Sequence, residues 1–405
     1  MLSARNFAFF AMTLALGCRG PVDQKDDTGA PPPDDTGEAG DTEDTGSASD
    51  TDDTEEPKVA AVEEFGLGTP TYEVFATASE DLSTPRDLAF HPDRDELWVL
   101  SRYGEGSWGA GNTTIFFEPL AGLDFENFAD SFGYHFMAHP SALAFGAAEY
   151  EGSSEINFAT CQESRNDYNG NYAPDDFMGP SLWSSDLEIY AMVNQGWGSS
   201  LGGSHLDMLH QSPLCMGIEH DSANVYWVTD GSNGNIVRYD FVLDHGPGHD
   251  DHSDGIVRRY LDASFTRVAD VPSHLAFDGD SGWLYYADTG TGTIKRLDTL
   301  SGTSAGNMSP YGESLAEYTR WNGATVETFA SDMSAPSGLL LNDGRLFVSD
   351  YSTGEIIAFD TEDGAELARI QTEAQGVTGL DMSSAGEIFF VDMDAEQVVR
   401  VVPEN

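Results

Sequence analysis

One phrase returns along this chain and limits what it can fold into. Clear copies are PSHLAFDGDSGWLYYADTGTGTIKRLD (272–298), PSGLLLNDGRLFVSDYSTGEIIAFD (336–360) and TGLDMSSAGEIFFVDMDAEQVVRVV (378–402). MGIEHDSANVYWVTDGSNGNIVRYD (216–240) is a fourth, and PRDLAFHPDRDELWVLS (85–101) and PSALAFGAAEYEGSSEINFATC (140–161) open two degenerate ones. Each reads as a short apolar strand, a turn with Asp, Gly or Ser, and a second strand rich in Val, Tyr, Phe and Trp. The clearer copies add an Asp-x-x-x-Gly-like turn and a third strand. Short strands repeating every ~40–60 residues predict an all-β propeller, and six copies predict six blades. The last unit stops after its third strand at Val402, while residues 72–77 (YEVFAT) form an unpaired strand before the first. That N-terminal strand is expected to complete the last blade and close the ring without an exposed edge.

These units resemble NHL repeats, with their Pro-x-Gly-Leu-Ala-Val-Asp, Leu-Tyr-Val-Ala-Asp and Gly-plus-third-strand pattern, over roughly residues 72–405. The resemblance implies a six-bladed propeller. It leaves function open, because the class hosts ligand binders, protein binders and enzymes, among them an amidating lyase and the related gluconolactonases.

The first residues read MLSARNFAFFAMTLALGC: one arginine, Arg5, then an apolar run over 7–17 too short to span a bilayer. The ending resembles the lipobox of bacterial lipoproteins, with Ala15 where Leu is commonest. This implies that residues 1–18 are a signal segment and Cys18 is lipidated, anchoring the chain at the outer membrane or cell surface. Residues 19–58, rich in Asp, Thr, Gly and Pro, read as a disordered acidic tether, and 59–405 as the propeller. The remaining Cys161 and Cys215 form one disulfide or stay as two buried thiols. With 70 acidic and 18 basic residues the chain carries a formal charge of −52. Nucleic acid is therefore excluded as a partner, and any membrane contact runs through the anchor alone. Cations such as calcium are the natural counterparts, although solubility alone explains the charge equally well. No phosphate-binding glycine loop or His-Glu-x-x-His occurs, so no nucleotide cofactor is expected.

With strands a to d labelled from the centre outward, the d–a and b–c connections share one face of a propeller and the a–b and c–d turns the other. Two long insertions are expected on the first face: the b–c loop of blade 2 (161–180) and a d–a connection into blade 3 (194–215). His205 and His210 lie in the second, and His139 and His274 stand at the starts of strands a in blades 2 and 4. His274 takes the place held by Gly217, Gly338, Gly379 and Ala142, and Asp87 fills it in blade 1. His205, His210 and His274 are thus expected to hold a zinc-like metal at the channel mouth, with Asp87 or Asp207 as proton-handling acid. The other reading is that these histidines cap loops. The lyase of the class holds zinc through a Pro-His phrase, whereas this chain has Pro272-Ser273-His274, so that activity is not carried over. Glu219 and Asp381 stand in inner strands where other units have Ala89, Ala144, Ala276 and Leu340. Channel carboxylates are what the gluconolactonases use to hold a divalent metal. Asp230, Asp288, Asp350 and Asp392 each open a b–c turn and read as turn caps.

The histidine-rich DHGPGHDDHSDG (244–255) falls between strands c and d of blade 3, on the face opposite those insertions. His245, His249, Asp250, Asp251 and His252 either hold a structural cation there or form a solvated acidic loop. The expected function is a surface binding protein for a small-molecule or protein ligand, with divalent cations. A metal-dependent lactonase-like hydrolase or lyase is the alternative.

Overall fold

The computed structural model describes residues 65–66, 69–102, 109–150, 152–165, 177–193, 202–249 and 251–402. The signal segment, Cys18, the tether and Asp250 lie outside the described residues. Six sheets form a six-bladed propeller, and among the described residues helix is confined to short turns such as Gly133–Phe136. Among the described residues no helix is long and apolar enough to cross a membrane.

Strands b such as Val225–Asp230 (VYWVTD) and Trp283–Asp288 (WLYYAD) have a strand on each side and a blade on each face. They are accordingly continuous runs of β-branched and aromatic residues rather than alternating ones. The buried apolar residues fall into six clusters, one between each pair of successive blades. The sixth joins Phe389 and Val391 of blade 6 to Leu97 and Phe116 of blade 1, so the ring closes on a packed interface like the other five. The ring closes by strand pairing: Thr71–Ala76 pairs antiparallel with Gln397–Val402, Thr71 opposite Val402, as the fourth strand of blade 6. The expected turn caps are present. Asp230 accepts from the backbone of Ser232 and Asn233, and Asp350 from Ser352 and Thr353. Asp392 accepts from Ala395 N, whereas Asp288 reaches back to Thr266 N and pairs with Lys295.

Two connections differ from the sequence expectation. Strand d of blade 2 is only Asp207–Met208, paired to Ser181–Ser184. The segment before it is therefore a c–d connection of blade 2 and not a d–a link, and its face is reversed. Two residues carry no period, so nothing in the sequence marks them as a strand. In blade 4 the c–d connection contains a hairpin, Thr303–Asn307 with Glu317–Asn322. Its second strand runs parallel to strand d of blade 3 (Ile256–Ser264) and widens that sheet to six strands.

Candidate functional site

Strands a line the channel, and each is paired on one side only, so its inner edge presents backbone groups to the axis. Near the entry of these strands, backbone approaches backbone. A Cβ on Gly217 or Gly338 would stand 2.1 Å from Ser273 O or Thr378 O, and one on Gly379 2.2 Å from Asp87 Oδ1. The glycines that recur at this place are thus required by close approach. A belt of hydroxyls ties the blades at the same level. Ser141 donates to Cys215 O (2.7 Å), Thr229 to Ser273 O (3.1 Å), Thr289 to Pro336 O (2.7 Å) and Thr378 to Arg86 O (2.9 Å). Cys161 and Cys215 form the disulfide there, joining strand b of blade 2 to strand a of blade 3.

Above the belt an ion cluster seals this end. Arg102 of blade 1 reaches Asp270 in the link before blade 4 at 2.7 Å, spanning the axis, and Glu163 at 2.5 Å. Arg267 also pairs with Glu163. Arg86 lies buried beneath, its guanidinium pushed down to about 10 by burial and then by Arg102. The channel is open at the other end, where Phe90, Phe145, Phe277 and Leu341 are half-buried around a cavity of about 420 Å³. The accessible mouth is therefore on the a–b face, opposite to the one expected from the long insertions.

Asp87, Glu219, Asp381 and His274 all face this cavity. Each carboxylate accepts from the unpaired edge of the next blade: Asp87 from Leu143 N (2.9 Å), Glu219 from Phe277 N (3.4 Å), Asp381 from Phe90 N (2.8 Å). Burial pushes the carboxyls up, Asp87 to about 7, Glu219 to about 8 and Asp381 to about 6, with the backbone donors opposing. Burial also pushes His274 down to about 4, so it is a neutral imidazole. Its Nδ1 lies 3.7 Å from Asp87 Oδ2 and its Nε2 has no partner. His274 is thus at the sealed inner end of the cavity and not at a mouth.

His205 and His210 do not join it. His205 is buried at the entry to strand d of blade 2, stacked on Phe136 with centroids 3.4 Å apart, and burial holds it down at about 3. The metal expected from His205, His210 and His274 is therefore not assembled, because the short strand puts the first two outside the channel. His139 adopts a left-handed conformation (φ 52°) before Pro140, donating its N–H to Gly109 O, and lies outside the cavity lining. Asp207 lies in the outer strand, its carboxyl raised to about 7 by burial, with Oδ2 unpartnered.

The same reversal brings the two histidine-rich segments together. His245 N donates to Leu206 O (3.3 Å), Gly248 N to His205 O (2.6 Å) and Gly202 N to Gly248 O (2.9 Å). The expectation that 244–255 stands apart from the insertion is thereby overturned: both are c–d connections of adjacent blades. Within the loop, His245 pairs with Asp254 (3.0 Å) and stacks on His249, while His249 Nδ1 accepts from Asp251 N (3.2 Å) and Asp251 is exposed. His252 turns away from these, its Nδ1 2.8 Å from Glu313 Oε2 in the blade 4 insertion. His210 Nδ1 lies 2.9 Å from the same oxygen. Burial pushes Glu313 up, but the two imidazoles and Gln211 outweigh it and hold it at about 2, while burial lowers His210. Glu313 is thus held as a carboxylate between the two imidazole Nδ1 atoms. Among the described residues, His210, His252 and Glu313 are the set of histidine and acidic ligand atoms that lie within 4.8 Å of one another; the channel groups are not so placed. Glu313 was missed by sequence because its surroundings, YGESLAEY, carry no feature of a ligand loop.

No family model matches the sequence, and no curated protein matches it. Solved structures do. An auxiliary nutrient-binding protein from Bacteroides ovatus aligns at TM-score 0.51 and 9% identity, over 83% of this chain and 77% of that one. Regucalcin, a calcium-binding protein from Agrobacterium tumefaciens, aligns at 0.49 and 13%, over 84% and 98%. A streptogramin B lyase aligns at 0.45 and 11%, over 83% and 98%. At such identities the likeness is one of fold, the six-bladed propeller.

Proposed function

We propose that this protein is an exported, lipid-anchored binding protein whose channel takes up a small organic cation with an apolar portion. The observation that carries the reading is the convergence of Asp87, Glu219 and Asp381 on one cavity of about 420 Å³ rimmed by Phe90, Phe145 and Phe277. An ammonium head suits carboxylates at the inner end, and aromatic faces at the rim suit both its charge and its hydrocarbon. The charge of −52 raises the local concentration of such a ligand. A cationic guest favours the ionised carboxylates, so its affinity rises with pH through about 6 to 8. Binding of a nutrient is also the role that the name of the Bacteroides ovatus neighbour states.

Titration calorimetry of the full chain with choline, putrescine, glucosamine and glucose tests this. Binding of the amines, weakened about tenfold or more by Glu219→Gln, is the expected result. Binding of glucose alone, unchanged by Glu219→Gln, would overturn it. The anchor is tested separately: the chain should sediment with membranes, and Cys18→Ser should release it to the soluble exported fraction.

A further inference from the structure

Three connections from three blades meet beside the outer strands of blades 2 and 3. His210 comes from the chain just after strand d of blade 2, His252 from the c–d loop of blade 3, and Glu313 from the c–d insertion of blade 4. Their approach is built by main-chain contacts as well. His210 N donates to the Glu313 carboxylate (3.2 Å), and Gln211 and Tyr311 exchange bonds between Nε2 and O (3.0 Å) and between N and Oε1 (3.1 Å). Phe177 stacks on the His210 ring at 3.9 Å, which fixes the ring plane. Tyr239 donates to His210 O (3.0 Å) from below.

We propose that His210, His252 and Glu313 bind a divalent transition metal of the zinc class, which clamps these three connections together. Two imidazoles present the same nitrogen, Nδ1, to one carboxylate oxygen at 2.9 and 2.8 Å. A metal bonded at about 2.1 Å to each ligand sets tetrahedral neighbours roughly 3.4 Å apart, so seating it requires an outward shift of roughly half an ångström in each nitrogen–oxygen pair. Imidazole nitrogen selects zinc, copper or nickel over calcium, and the single carboxylate supplies charge without the oxygen cage that calcium needs. Ligation at Nδ1 requires the tautomer protonated at Nε2, so the proton now shared with Glu313 leaves Nδ1 and Nε2 takes one up. In His210 that Nε2 is buried and without a partner in a residue 2% exposed. Asp207 Oδ2, buried in the same segment, is likewise unpartnered. With His205 Nδ1, three buried polar atoms without a partner thus lie in the six residues 205–210 beside the converged ligand set. The side of His252 is half-buried, so a fourth position filled by water faces out.

The site is separate from the channel, and its test does not depend on the channel ligand. The full chain, stripped with chelator and dialysed against limiting zinc, is assayed for bound metal, and a cobalt-loaded sample for visible absorption bands. One equivalent with tetrahedral-type cobalt bands is expected. His252→Ala and Glu313→Gln should each weaken binding at least tenfold, while Glu219→Gln in the channel retains the full equivalent. Because His252 is half-buried, its alanine variant keeps the fold, checked by an unchanged circular dichroism spectrum. Less than a tenth of an equivalent in the unaltered chain overturns the proposal, as does undiminished zinc binding by folded His252→Ala.

Discussion

Two buried polar groups of this propeller reach stability by different routes. In the channel, Asp87, Glu219 and Asp381 satisfy the free inner edge of the neighbouring blade, so each side chain repeats one geometric task around the ring. Beside the outer strands, Glu313 gathers His210, His252 and Gln211 from connections that share no repeat. Symmetry supplies the first group with partners that any strand a possesses. The second exists only because three irregular segments have the right lengths at once. Near pH 7 Glu219 is consequently mostly protonated, Asp87 about half protonated and Asp381 mostly ionised, whereas Glu313 is fully ionised.

Substitutions should separate the two. His210→Ala removes a buried, stacked and hydrogen-bonded ring and leaves Glu313 short of a donor; a loss of roughly 3–4 kcal/mol is expected in urea unfolding. His274→Ala in the channel should cost under about 1 kcal/mol, since Nε2 has no partner to lose; equal losses at the two sites would erase the contrast. Breaking the Cys161–Cys215 bridge by double serine substitution should cost about 2–4 kcal/mol and leave metal content untouched, because the bridge ties the ring and not the outer cluster.

The pH response sharpens the contrast further. Raised values mean that the folded chain holds these channel protons more tightly than the unfolded one does. Their stabilisation is complete below about pH 4 and is lost as pH rises through about 6 to 8. Thermal unfolding should show this decline, and Glu219→Gln should reduce it by about 1–2 kcal/mol at pH 8 with little change at pH 5. The smallest effect is expected at His139, a left-handed turn residue. His139→Gly should shift stability by less than about 1 kcal/mol and leave both ligand and metal binding as they were.

What the sequence revealed follows the same division. The six units, the closing strand and the oddity of Asp87, Glu219, Asp381 and His274 were legible, because a repeat gives each position a reference and a departure from it stands out. The mouth of the channel was placed on the wrong face, since the seal by Arg102, Glu163 and Asp270 comes from three unrelated links. Strand Asp207–Met208 was invisible at two residues, and its omission reversed the face of His205 and separated two loops that touch. Glu313 had no reference position at all, being carried by a hairpin present in one blade only.

The pairing of Thr71–Ala76 with Gln397–Val402 has a consequence in time. The strand made first finds its partner only when nearly the whole chain has emerged, so five blade interfaces can form while the sixth waits. During that interval YEVFA and the open flank of blade 6 are both bare sheet edges, and closing them is the most non-local contact in the molecule. Ring closure is then the slow step expected in refolding, and a chain lacking residues 71–76 or 397–402 would remain a horseshoe prone to pair with its own kind.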